Sequence, residues 1–161
     1  ITPGDSKLND TELTEAIAGY LDNHTVFNLA TAGPQGPHAA SVFYARRAFE
    51  LFWFSDAGTR HSRDLARAVG CAGTITDNAE DYSKIQGLQL QGVGEELSDP
   101  AEKQTGLETL MARYPFLSEF TKGAQAARME SISIYRFRPL SITWIDNSVS
   151  FGFKQTLDFG S

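Results

Sequence analysis

The chain has 161 residues, 41% of them hydrophobic and 21% charged, which suits a single domain and excludes a disordered tail or a collagen-like repeat. With 14 Lys plus Arg against 20 Asp plus Glu the formal net charge is −6, which disfavours nucleic-acid partners because phosphate backbones select basic faces. Cys71 is the single cysteine, so no intrachain disulfide forms and a reducing, cytoplasmic compartment is expected; no apolar run reaches the ~18 residues of a membrane span.

Residues 1–8 are polar, carry Pro3 and Gly4, and are expected to be a flexible end, leaving 9–161 as one domain. A helix follows, with Asn9 as cap, Glu12 reaching back to it, and Leu13, Ile17, Tyr20 and Leu21 as its buried stripe. Near His24 the apolar period changes to two. Thr25 to Thr31 is a predicted strand, Ala32 to Pro37 a turn, and His38 to Arg46 the returning strand. Phe49 to Ser55 is a third strand, so aromatic that both its faces must be covered.

A second helix is predicted from Thr59 to a glycine stop at Gly70. Strands over Cys71–Thr76 and Leu88–Leu97 flank a polar loop with Asp77, Asn78, Glu80 and Asp81. Asp99-Pro100-Ala101-Glu102 starts a third helix, whose apolar face is Leu107, Leu110, Met111 and Tyr114 before Pro115 interrupts it. Ile132–Arg138 and Leu140–Ile145 are read as two strands broken by Pro139, and Val149–Lys154 as a short last strand after a turn at Asp146-Asn147-Ser148. Strands dominate and hairpins are frequent. The expected fold is mainly β with inserted helices (α+β), an antiparallel barrel rather than a doubly wound parallel sheet.

Chemistry has few foundations in this pattern. The histidines His24, His38 and His61 lie far apart, with no metal-ligand spacing between them. No G-x-S-x-G, Walker loop or Rossmann fingerprint is present, and Cys71 opens an apolar strand where a thiol is ordinary core. Gly92-Val93-Gly94 sits inside a strand and marks a bulge or a close backbone approach. Glu95 and Glu96 point to opposite faces and make poor acid/base partners. One segment, Phe54 to Arg63, runs from a strand end into a helix N-terminus. There Thr59, Ser62 and His61 offer donors, and Arg60 and Arg63 oppose the helix dipole unless an anion docks among them. The plainer alternative is a solvated basic stripe of Arg60, Arg63 and Arg67 paired with Asp56 or Asp64.

The run from Thr25 to Phe153 resembles the pyridoxamine 5'-phosphate oxidase-like superfamily of FMN-binding split barrels, through Pro37-His38-Ala39-Ala40-Ser41-Val42-Phe43-Tyr44, Phe52-Trp53-Phe54-Ser55 with Thr59-Arg60-His61, and Leu90-Gln91-Gly92-Val93-Gly94-Glu95-Glu96-Leu97. The residues after Trp144 look closest to a small, poorly characterised branch of that superfamily. The resemblance implies a split β-barrel of the FMN-binding type, a homodimer with flavin at the interface, and an oxidoreductase acting on a small molecule. It implies flavin contacts from Ala40, Ser41, Val42 and Phe43, from Phe54 and Ser55, and from Trp144 supplied by the partner subunit. It implies a phosphate clamp of Thr59, Arg60 and His61, with histidine replacing the usual lysine and its grip weakening as pH rises. Gln86, Gln89 or Gln91 would reach the ring edge, Gln91 being the first choice, and Phe43, Phe54 and Trp144 would wall the ring. Phe27, Phe52 and Trp53 are expected to be core. A non-catalytic module holding FMN, haem or a deazaflavin is the alternative, and a cofactor-free scaffold a third. A true pyridoxamine 5'-phosphate oxidase is not expected, since the family's C-terminal Arg-x-His is replaced by Asp146-Asn147-Ser148-Val149-Ser150.

Overall fold

The computed structural model describes residues 7–122 and 132–160. Helix α1 spans Asp10–Asp22 and begins where expected: the Asn9 side chain accepts the Glu12 N–H at 2.8 Å, and the Asn9 N–H donates to the Glu12 carboxylate. Leu13, Ile17, Tyr20 and Leu21 are its buried residues, as the 3.6-residue period requires. Residues 1–6 lie outside the described residues. Leu8 is not loose, because its N–H and carbonyl both bond the Gln155 side chain, at 3.0 and 2.6 Å.

Strands β1 (Val26–Gly33) and β2 (Gly36–Phe43) form a hairpin closed by Pro34 and Gln35 alone, tighter than the six-residue turn expected from sequence. Gly36 sits at φ +95°, a conformation that favours glycine. The returning strand stops at Phe43 and resumes as β3 (Ala45–Arg47), which pairs with β4 (Glu50–Asp56). Alternation along β4 explains its aromatic content. Leu51 and Trp53 enter the main core with Phe27, Leu29 and Phe137, while Phe52 enters a second cluster with Leu97, Leu110 and Ile134.

Helix α2 (Arg60–Arg67) ends on Ala68, and Gly70 opens strand β5 (Gly70–Thr76) instead of stopping the helix. Strand β6 (Gln86–Glu96) precedes helix α3 (Pro100–Arg113), which Asp99 caps through the Glu102 N–H at 3.0 Å. At Gly106 an added Cβ would meet Phe52 and Ile134 at 3.0 Å, so α3 lies close on the sheet there. A 3-10 turn over Pro115–Thr121 follows.

The expected pair of strands around Pro139 is one strand, β7 (Ile132–Asp146). Its first half pairs with β4 up to Phe137 and its second half with β8 (Lys154–Asp158) from Ser141, so Pro139 falls at the changeover, where a missing N–H breaks no ladder on that edge. On the other edge Pro139 faces Gly92 at the register shift between Gln91 and Gly92, the bulge expected from the glycines. The last strand is β8, not Val149–Lys154, since residues 147–152 form turns.

The strands make one 8-stranded sheet in the order β2-β1-β5-β6-β7-β4-β3, with β8 added on β7, and all its pairings are antiparallel. The sheet curls around the main core as a split barrel. It is mainly β with inserted helices, as the pattern of elements required. Among the described residues no helix is long and apolar enough to cross a membrane.

Candidate functional site

The cleft forms beside the open edge strand β2. It has a volume of about 340 Å3 and gathers Ser41, Val42 and Phe43 of β2, Phe54 and Ser55 of β4, His61 of α2, Leu110 of α3, and Tyr114, Phe116 and Leu117 behind that helix. Six of these are legible in the sequence as candidate contacts: Ser41, Val42, Phe43, Phe54, Ser55 and His61. The fold brings them together because the ends of β2 and β4 converge near the start of α2. Sequence reading misses the wall made by Leu110, Tyr114, Phe116 and Leu117. Leu110 and Tyr114 are legible only as a helix's apolar stripe.

The walls are apolar and half open. Phe43 is 62% and Phe116 56% exposed, and the Phe43 ring meets Tyr114 edge-on at 6.1 Å. Tyr114 is itself fixed, its hydroxyl donating to the Tyr44 carbonyl and its ring receiving the Arg113 guanidinium.

Polar groups cluster at the α2 end. Thr59 caps the helix, its hydroxyl accepting the Ser62 N–H at 3.4 Å. His61 Nε2 lies 2.7 Å from Ser55 Oγ and 3.3 Å from Thr59 Oγ1. Burial, and secondarily the field of His38, hold the His61 pKa below its ordinary value, against a smaller upward pull from Asp64. His61, expected as part of a phosphate clamp, is 8% exposed and shares hydrogen bonds with Ser55 and Thr59.

The other expected contacts are placed differently. Arg60 does not line the aromatic cleft. Its Nη2 leans on the carbonyls of Gln35, Gly36 and Pro37 at 3.3–3.5 Å, and its Nε is buried without a hydrogen-bond partner. Among the described residues it forms no ion pair with Asp56 or Asp64, so the plain salt-bridged stripe is not what holds it. Ala40 is half-buried, paired with Leu29 across the hairpin, and lies outside the lining.

Trp144 is 7% exposed and packs edge-on against Tyr20 beneath α1. It points inward from β7 and does not line the cleft. Gln91 is exposed on β6 between Ala72 and Ser141, away from the cleft. Gln89 is exposed on the same strand, and Gln86 donates to Asp146 at 3.1 Å. None of the three glutamines lines the cleft. Burial pushes the Cys71 thiol up to about 12. Phe27, Phe52 and Trp53 are core, as expected.

A model of the pyridoxamine 5'-phosphate oxidase family matches residues 13–144. A UPF0306 protein of Klebsiella pneumoniae (strain 342) is 26% identical over 145 residues, covering 89% of this chain and 91% of its own. Among solved structures, a haem-binding protein of Mycobacterium smegmatis superposes with a TM-score of 0.71 at 17% identity, over 94% of this chain and 59% of that one. Campylobacter jejuni ChuZ superposes with a TM-score of 0.74 at 9% identity, over 96% of this chain and 63% of that one. A Listeria innocua protein described as a pyridoxamine 5'-phosphate oxidase gives 0.61 at 17% identity, over 93% of this chain and 100% of its own. These structural likenesses establish the split-barrel fold.

Proposed function

Because the chain belongs to the pyridoxamine 5'-phosphate oxidase family, we propose that it is an FMN-binding flavoprotein, an oxidoreductase on a small molecule that works as a homodimer. The observation that carries this reading is the cleft itself: a slot between Phe43 and Phe54, with the Ser41 and Ser55 hydroxyls and the start of α2 at one end. The donor set fits a flavin mononucleotide. Aromatic walls suit the ring system, and the first turn of α2 leaves N–H groups free for a phosphate. The buried, unpartnered Arg60 Nε marks a guanidinium whose present contacts are long and replaceable.

Bound there, FMN would supply the electron-transfer chemistry. This chain's residues would then bind and orient it. Thr59 and Arg60 would hold the phosphate, Ser55 and His61 would offer a hydrogen-bonded pair to the polar edge, and Phe43 and Phe54 would exclude water. The exposure of Phe43 and Phe116 supports a second subunit closing the slot, since a flavin needs both faces covered.

Haem is the second reading. It is favoured by the His61 imidazole in the cleft, whose pKa burial lowers, and by the likeness to the haem-binding protein of Mycobacterium smegmatis. Against it, His61 Nε2 is already engaged by Ser55 and Thr59, and ligation through that nitrogen would break both contacts. The test is the absorption spectrum of the purified protein, with the mass of the small molecule released on denaturation. FMN is the expected result, and haem or a deazaflavin would overturn this reading.

A further inference from the structure

A second cleft of about 280 Å3 lies on the outer side of α2, lined by Pro34, Gln35, Arg60, Arg63, Asp64 and Arg67. Spacings of three and four residues put Arg60, Arg63 and Arg67 on one helix face. Among the described residues none of these arginines forms an ion pair, whereas Arg46, Arg136 and Arg138 each do. The acid in the lining, Asp64, is 5% exposed and turned toward β1. Its carboxylate accepts the Thr31 hydroxyl at 2.8 Å and lies so near Gly33 that a Cβ there would come within 2.0 Å of it.

The cleft thus carries an excess of positive charge on a chain whose formal net charge is −6. Arg63 in the first turn of α2 also opposes the helix dipole, and an anion seated beside it relieves that conflict.

We infer that this cleft, through Arg63 and Arg67, binds the phosphate group of a small phosphate ester, as a ligand separate from the flavin, whose phosphate takes Arg60. Guanidinium forks match phosphate oxygens, and two or more of them match a dianion better than a carboxylate. The cleft would hold on the order of nine waters at ~30 Å3 each, which leaves room beside the phosphate for the group it is attached to. Pro34 offers that group an apolar wall. Arg63 and Arg67 do not line the aromatic cleft, so the inference stands whether or not flavin is the cofactor.

The experiment is calorimetric titration of the protein as purified, with whatever cofactor it retains, using adenosine monophosphate, inorganic phosphate and adenosine at low ionic strength. Adenosine monophosphate and phosphate should bind, adenosine should not, and added salt should weaken the binding. The double variant Arg63→Gln, Arg67→Gln, altered only at exposed side chains, should bind adenosine monophosphate ~10-fold or more weakly. Its FMN affinity should stay within about twofold of the parent's. Absence of phosphate binding, or binding unchanged in the variant, would overturn the inference. So would an equal loss of FMN affinity, which would give this cleft to the flavin phosphate. A protein that binds adenosine monophosphate but no flavin would refute only the flavin reading.

Discussion

Replacing Phe43 by alanine separates a ligand wall from a core residue. An aromatic side chain buries about 150–250 Å2 when fully covered. Phe43 is 62% exposed, so roughly 90–150 Å2 of it awaits a ligand or a second subunit. At ~25 cal/mol per Å2, covering all of that is worth about 2–4 kcal/mol. A flat ring on one face covers about half, giving ~1–2 kcal/mol and a ~5- to 30-fold rise in Kd for FMN on truncation. Stability of the unliganded chain should fall much less. Truncation there removes one edge-on aromatic pair with Tyr114 at 6.1 Å, worth at most ~1.5 kcal/mol. FMN affinity is read from flavin fluorescence quenching and stability from urea unfolding. An affinity within about twofold of the parent's, or a stability loss above ~2 kcal/mol, would refute the placement of Phe43 as a ligand-facing wall.

Four further outcomes are expected. His61 has a folded pKa below its unfolded value, so its contribution to stability is complete above about pH 6.5 and is lost as pH falls through the lower folded value; His61→Gln should flatten the melting profile on the acid side. Gly92→Ala would place a Cβ 2.2 Å from the Arg138 carbonyl at the bulge, where backbone cannot yield, and should destabilise by ~2–3 kcal/mol in urea. Arg136, with its side chain 12% exposed, meets Glu95 at 2.9 Å and Glu102 at 3.1 Å. Arg136→Met should cost ~1–2 kcal/mol, the partners' exposure screening the rest, and the deficit should shrink as pH approaches ~4. The FMN-loaded protein should fail to make pyridoxal phosphate from pyridoxamine phosphate in an absorbance assay. Its 146–150 turn has no cation, and the Asp146 carboxylate there is occupied by the Ser148 N–H and hydroxyl at 3.0 and 2.5 Å.

Local physics is readable directly from the chain. The caps at Asn9, Thr59 and Asp99 and the stripe of α1 depend on residues three or four apart, and the in–out alternation of the strands on a period of two, so sequence alone determined them. The aromatic richness of β4 likewise announced a strand covered on both faces, as the two clusters on either side of it confirm. What periodicity does not carry is which neighbour a strand edge or a long side chain finds. Pro139 signals a break in any isolated strand, and only the exchange of β4 for β8 along β7 makes it harmless. Gln91 and Trp144 alternate correctly, yet which face meets the cleft depends on how the sheet curls. Arg60 has enough rotatable bonds to serve either side of α2, and the carbonyls of the β1–β2 hairpin drew its guanidinium to the outer one. The cleft joins residues from Ser41 to Leu117 across two strands, two helices and a 3-10 turn. Its residue types were visible in the sequence, but their convergence is a property of the closed fold, because it follows from contacts between residues distant in the chain.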